Sequence, residues 1–251
     1  MTGNCRPEEL LIGVVAELIG HVRHVAVGAL SPIPAAAALL GARRHDGMRV
    51  SILNSRRHSF FTDGGRELFD CAGQGRIDAF FLSGGQIDGA GNVNLVAIGD
   101  YAAPKARFSG SFGSAYLYYV VPKVILFRLE HTRRTLVEQV DFVSAPGTSA
   151  PGVYRPGGPH ALLTNLCVFH FDKTAGRFTL ASLHPGVTLD EVRDRTGFAF
   201  AAPDEVPTTA EPSEADLALM RGPVAEDLAE TYPAFAAEVL GWRAPAGETV
   251  P

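Results

Sequence analysis

Helical and strand signals alternate from residue 7 to residue 145, and this alternation limits the folds open to the chain. Residues 7–20 (PEELLIGVVAELIG) place Leu10, Leu11, Val14, Val15, Leu18 and Ile19 on one helical face, between Pro7 and Gly20. Residues 24–28 (HVAVG) read as a buried strand, residues 34–41 (PAAAALLG) as a helix, and residues 49–54 (RVSILN) as a second strand. Residues 77–82 (IDAFFL) and 123–127 (KVILF) are almost wholly apolar, as parallel strands covered on both faces are. Residues 139–143 (QVDFV) are expected to add another strand. The pattern predicts an α/β fold, a layered and mainly parallel sheet flanked by helices.

The remainder of the chain changes character. Residues 147–160, rich in Gly and Pro, form the only internal place where the chain would divide. Beyond them, residues 161–164, 167–171 and 177–182 predict a smaller antiparallel part, with a hairpin turn at 172–176. Thr188 with Glu191, and Ser213 ahead of an apolar run, mark two capped helices. The expected organisation is a single domain over 1–220, with any subdivision near 147–160. A Pro- and Glu-rich tail over 221–251 is expected to be partly mobile.

Composition removes several function classes. Lys plus Arg number 22 against 27 for Asp plus Glu, a formal net charge of −5. Such a balance argues against a broad nucleic-acid or anionic-membrane surface, which needs excess positive charge. Cys5, Cys71 and Cys167 form no CxxC pair, so neither a zinc site nor a disulfide framework is expected, and no metal is expected at all. The opening MTGNCRPEEL lacks the basic-then-apolar layout of a secretory leader, and no apolar run approaches the ~20 residues of a membrane span. A cytoplasmic location follows as the expectation. The eight histidines match no zinc spacing; His21, His24, His45 and His58, among arginines, are expected at the surface, and His184 in a turn that packs the second half of the fold.

The densest unusual stretch is residues 83–114 (SGGQIDGAGNVNLVAIGDYAAPKARFSGSFGS). Glycine lets main-chain N–H groups approach a ligand unobstructed, but it also serves plain tight turns. No Walker or GxGxxG pattern is present. Consecutive amides in Gly110-Ser111-Phe112-Gly113-Ser114 suit an oxyanion that develops on a thioester or ester carbonyl, and equally suit an ordinary turn. Asn92, Asn94 and Asp100 sit in the glycine-rich turns, where Asn and Asp commonly bond neighbouring amides. Tyr116, Tyr118 and Tyr119 read as core, as subunit interface, or as the wall of an acyl pocket.

The same stretch resembles a known family. Gly84-Gly85-Gln86-Ile87-Asp88, Gly91-Asn92-Val93-Asn94, Ile98-Gly99-Asp100-Tyr101, Pro104-Lys105 and Arg107-Phe108-Ser109-Gly110-Ser111 are similar to the β subunit of glutaconate CoA-transferase, and more broadly to class I CoA-transferases. Arg133-Arg134, residues 140–147 (VDFVSAPG) and Thr196-Gly197-Phe198 continue the resemblance. Residues 182–188 (SLHPGVT) are similar to the β subunit of an actinobacterial steroid ring-opening CoA hydrolase of the same superfamily. The resemblance spans most of residues 10–220.

It implies a CoA-transferase fold and an α-subunit partner, as a heterodimer or α2β2. It further implies a site between the subunits and an acyl-CoA substrate that brings coenzyme A with it, with no covalently bound cofactor. In the transferases a β-subunit Glu attacks the thioester. Here Leu53 or Asn54 falls at that position, and neither can form an acyl anhydride. Glu67, about a dozen residues on, is the next acid in line and reads more readily as a surface residue. The family's oxyanion loop, Gly-Ser-Gly-Gly-Ala, is here Gly110-Ser111-Phe112-Gly113-Ser114.

With both departures, hydrolysis or ring-opening C–C cleavage with the acid on the α subunit becomes the leading expectation. Genuine CoA transfer and a non-catalytic structural role remain as alternatives. Ser55, Arg56, Gly84, Gly85, Gln86, Asn92 and Asn94 are the expected substrate-binding residues. Arg56-Arg57-His58 would suit a carboxylate or CoA phosphate, or be a solvated loop. Ser55 with His58 suggests Ser–His catalysis, but no orienting acid is evident in the sequence.

Overall fold

A computed structural model describes residues 5–244. In chain order its elements are α1 (Pro7–Ile19), β1 (His24–Val27), α2 (Pro32–Arg44), β2 (Arg49–Ile52), α3 (Gly64–Gly73) and β3 (Ala79–Leu82). Four short strands follow, β4 (Gln86–Ile87), β5 (Val93–Asn94), β6 (Ala97–Ile98) and β7 (Ala106–Arg107), then α4 (Ser114–Val120) and β8 (Lys123–Arg128). The remainder comprises β9 (Pro159–Thr164), β10 (Cys167–Asp172), β11 (Arg177–Leu183), α5 (Leu189–Arg195), α6 (Glu214–Leu219), a π-helical turn (Met220–Val224), α7 (Ala225–Ala229) and α8 (Pro233–Leu240). They form two compact units: residues up to Leu68 together with those from Ala210 onward, and Phe69–Thr209.

In the first unit β1 and β2 run parallel, from His24 opposite Arg49 to Val27 opposite Ile52. Four consecutive alanines, Ala35–Ala38, are fully buried in α2. Their small side chains let α2 lie close against α1, as the apolar face of α1 requires. Gly20 ends α1 with φ 62°, a left-handed stop that its lack of a Cβ makes inexpensive.

The segment expected to be a partly mobile tail is helical instead up to Leu240, and its last residues, 245–251, lie outside the described ones. Leu217, Met220, Val224 and Leu228 recur at helical spacing and are all buried. The Ser213 hydroxyl caps α6 by accepting the Asp216 N–H, and the Asp216 carboxylate accepts from Ser213 in return. Ion pairs from Arg44 to Asp216 (2.8 Å), Arg43 to Asp227 (2.5 Å) and Arg221 to Glu9 (2.6 Å) fix these helices to α1 and α2.

In the second unit β3, β8 and β9 are parallel neighbours, and β10 and β11 continue antiparallel from β9. The mainly parallel α/β arrangement with a smaller antiparallel part is as the sequence implied. The turn of the β10–β11 hairpin is held by the Asp172 carboxylate, which accepts the Thr174 and Ala175 N–H groups at 2.8 and 2.9 Å.

Residues 139–143, expected as a strand, form none. The side chains of the glycine-rich segment take the amides a neighbouring strand would have bonded. Asp141 N–H donates to Gln86 Oε1 at 3.0 Å and Val140 N–H to Asp88 Oδ2 at 3.4 Å. His24 also departs from its expected surface position: it is buried in β1, with Nε2 2.8 Å from Ser51 Oγ and its ring stacked on Phe61.

Candidate active site

The first candidate lies in the first unit, where β2 ends. Ile52 N–H donates to His58 O (2.6 Å) and Leu53 N–H to Val27 O (3.0 Å), so residues 53–58 form a closed loop beyond the strand. Asn54 begins the turn with φ 74°, a left-handed conformation that Asn tolerates better than most residues. Ser55 is buried, and its hydroxyl donates to Glu230 Oε2 at 2.6 Å while accepting the His58 N–H at 2.9 Å. Arg56 N–H donates to Glu230 Oε1 at 2.8 Å. Arg56 and Arg57 are exposed.

Two acids therefore meet this loop that the sequence did not point to, Glu230 and Asp227. The Asp227 carboxylate lies 3.5 Å from His58 Nε2 and pairs with Arg43. His58 faces Asp227 and Ser55 faces Glu230, so the Ser–His catalysis that Ser55 and His58 suggested has no side-chain pair to carry it. Burial acts to raise the Glu230 pKa, but hydrogen bonds from Ser55 and from the Arg56 and Arg57 amides outweigh it and hold the carboxyl below its usual range. Glu67 accepts from the Thr62 hydroxyl (2.9 Å), the Thr62 N–H and the Asp63 N–H (2.9 Å), capping the start of α3.

The second candidate, residues 110–114, lies in the other unit. Gly110, Phe112 and Gly113 all have positive φ, at 102°, 38° and 70°. Ser114 N–H is committed within the turn to Ser111 O at 2.7 Å. The Phe112 and Gly113 N–H groups have no bonding partner among the described residues. Ser114 Oγ is buried and also lacks a partner there. The Phe112 ring is 80% exposed and touches Phe69, with centroids 5.7 Å apart. Phe69 also explains Gly113, since a Cβ there would stand 2.6 Å from Phe69 Cζ.

The glycine-rich residues divide by role. Gln86, Asp88 and Asn94 are buried and bind one another's turns. Asn94 Nδ2–H donates to Gln86 Oε1 (2.7 Å) and Ala97 O (2.6 Å). Asp88 accepts the Ala90 and Asn92 N–H groups and Asn92 Nδ2–H, each at 3.0 Å. Tyr118, fully buried, donates to Gly91 O at 2.8 Å.

Gly84 and Gly85 instead line a cavity of about 690 Å³ with Ser83, Arg107, Phe108, Ser109, Arg128, Arg134 and Thr135. The Phe108 ring lies directly over Gly85, leaving no room for a Cβ. Glu130 receives both Arg128 (3.0 Å) and Arg134 (2.5 Å), and chiefly the Arg134 bond holds its carboxyl below the usual range. Arg128 Nε is buried with no partner among the described residues. A cavity lined by three arginines, one with an unsatisfied N–H, suits an anionic group. Of these arginines only Arg107 and Arg134 stood in the motifs read from the sequence.

A mainly parallel α/β fold, a glycine-rich segment folded into short hairpins and an arginine-lined cavity now stand beside the motifs. Residues 30–195 match the Coenzyme A transferase family, and the chain belongs to that family. It is 37% identical over 153 residues to the β subunit of the 3-oxoadipate CoA-transferase of Pseudomonas knackmussii, covering 59% of this chain and 58% of that one. It is 34% identical over 160 residues to the cholesterol ring-cleaving hydrolase IpdB subunit of Rhodococcus jostii, covering 62% of each. The matched stretches are thus well short of these relatives' full length. The structure of glutaconate coenzyme A-transferase from Acidaminococcus fermentans shares the fold, with TM-score 0.76 at 24% identity over 96% of this chain and 99% of that one.

Proposed function

We propose that the chain is the β subunit of a heteromeric CoA-transferase-family enzyme that acts on an acyl-CoA thioester by hydrolysis or ring-opening C–C cleavage. The acting acid would come from an α subunit. The observation that carries this reading is the end of β2. It presents Leu53 and Asn54 where the family resemblance places an attacking glutamate, while Glu230, Asp227 and Glu67 are each engaged in hydrogen bonds or ion pairs. Glu230, hydrogen-bonded on both oxygens, is thereby a weaker nucleophile.

The chemistry assigned to the chain follows from what it offers. Water directed by the partner's acid adds to the thioester carbonyl; the C–S bond then breaks, and the departing sulfur takes a proton. The unbonded Phe112 and Gly113 amides would receive the carbonyl oxygen as it gains charge. Arg128 and Arg134 would hold an anionic group of the acyl portion in the cavity. For ring opening, the same amides would stabilise the oxyanion formed when water adds to a ring ketone; as the C–C bond breaks, the former ketone carbon becomes a carboxylate and the leaving carbon takes a proton.

The test is chemical trapping. The assembled complex is incubated with acyl-CoA and quenched with borohydride or hydroxylamine, and the chain is mapped by mass spectrometry. The expected result is loss of the substrate with every glutamate of this chain unlabelled. A reduced or hydroxamate-labelled glutamate here would establish CoA transfer instead. Unchanged turnover on replacing both Ser111 and Gly113 would favour a non-catalytic subunit.

A further inference from the structure

The family match ends at residue 195, yet the chain beyond it sets the loop after β2. Glu230 accepts the Ser55 hydroxyl (2.6 Å) and the Arg56 N–H (2.8 Å), two successive donors on one carboxylate. The Thr231 hydroxyl adds a third bond at 3.1 Å. Ser55 Oγ in turn gathers the His58 N–H, so residues 55–58 wind around one hydroxyl that one carboxylate anchors. Asn54 enters that turn in the left-handed region. The turn is therefore held at its entry by an uncommon backbone conformation and at its centre by a charge-assisted cluster.

What the cluster holds in place is cationic. Arg56 donates its amide inward, and Arg56 and Arg57 are exposed residues whose guanidinium groups form no ion pair among the described residues. Arg43, Arg44 and Arg221 of the same unit are all paired. Two unpaired guanidinium groups on a tied loop form a preorganised receptor for an oxyanion, because the cost of ordering the loop is met before the ligand arrives. We propose that Glu230 is a positioning residue that locks residues 55–57 so that Arg56 receives a phosphate or carboxylate of the acyl-CoA. This rests on the function proposed above.

The experiment measures equilibrium binding and turnover of acyl-CoA by the complex with the α subunit, for wild type, Glu230→Ala, Glu230→Gln, Ser55→Ala, Arg56→Ala and the Glu230→Ala/Arg56→Ala pair. Arg56→Ala and Glu230→Ala should each weaken binding about tenfold, the size of one charge-assisted contact, with kcat changed far less. The double variant should be no worse than either single one, since both remove the same contact. Glu230→Gln keeps an acceptor for Ser55 and should recover part of the loss. Binding of 3′-dephospho and of uncharged acyl-CoA distinguishes the sources: the ligand that loses its dependence on Arg56 identifies which anion is held.

Full affinity in every variant, with only thermal stability lowered, would overturn the proposal, as would additive losses in the double variant. Should Glu230→Ala fail to fold, Glu230→Gln and Arg56→Ala carry the comparison. A wild-type complex that binds acyl-CoA without turning it over would count against the proposed reaction, and the binding series would still decide the role of Glu230.

Discussion

His131 Nε2 stands 2.9 Å from Thr196 Oγ1, and that hydroxyl has already given its proton to Val192 O at 2.7 Å. The ring must therefore be the donor at Nε2, which leaves Nδ1 to accept from the Thr164 hydroxyl at 2.8 Å. A neutral imidazole fits both threonines, with the Thr164 proton on the shorter contact to Nδ1 and not on Cys167 O at 3.3 Å. Burial is the main cause that pushes the His131 pKa down to about 4, helped by the positive charges of Arg195 and His184.

The sign of the pH effect follows. Unfolded His131 takes a proton near its ordinary value of 6.5, while the folded ring stays neutral until about 4. Its contribution to stability is complete above pH 6.5 and is lost as pH falls through that window. The total is on the order of 3 kcal/mol. Buried His184 shifts in the same direction. Denaturant midpoints measured from pH 7 to pH 4.5 should fall steadily, and His131→Gln should flatten the slope while lowering stability at pH 7.

Phe112 is held at φ 38°, where a side chain is strained. Replacing it with glycine should leave stability unchanged or raise it by about 1 kcal/mol. Gly113→Ala should do the opposite: φ is 70° and the new methyl meets Phe69, a combined cost of about 2 kcal/mol. Equilibrium unfolding of both variants checks the pair, and equal midpoints would refute the assigned strain.

Glu9 has no exposed side-chain surface and takes both Arg221 Nε and an Arg221 terminal nitrogen, at 2.6 and 2.8 Å. Arg221→Ala would strand that carboxylate. The expected loss is about 3 kcal/mol, at the low end for a broken buried pair because Arg221 itself is 36% exposed. Burial acts to raise the Glu9 pKa, but the Arg221 and Arg6 bonds prevail and lower it. The pair therefore stabilises above the ordinary carboxyl range, and its contribution disappears as pH falls through the lowered folded value. A pH-dependent melting series of wild type and Arg221→Ala should converge in acid.

Arg128→Ala tests the cavity. Its Nε makes no hydrogen bond among the described residues and its terminal nitrogen pairs only with the part-exposed Glu130, so removal should cost about 1 kcal/mol or less. The apparent KM for an acyl-CoA carrying an anionic acyl end should rise about tenfold, with uncharged substrates unaffected. Equal effects on both substrate types would show that the cavity does not read charge.

The glycine-rich segment was legible as a unit because its chemistry is local. Asp88 and Asn94 bond amides within a few residues of themselves, as Asn and Asp in turns do. Residues 139–143 misled because an apolar alternation cannot show whether backbone amides will meet a strand or a Gln86 side chain. His24 misled for a related reason: its burial is set by Ser51 and Phe61, brought alongside by pairing and packing. Glu230 left no signal at all, being 175 residues from Ser55 in the chain.

The alternation of helices and strands up to β8, the hairpin turn at 172–176 and the family motif were legible in the sequence alone, since each depends on periodicity or on neighbours a few residues apart. Which acid reaches Asn54-Ser55-Arg56, which arginines line the cavity and which histidines are shut from water were decided only by the tertiary structure. Those pairings join residues remote in the chain. Their energies arise from desolvation and hydrogen-bond geometry, which exist only once the elements have packed.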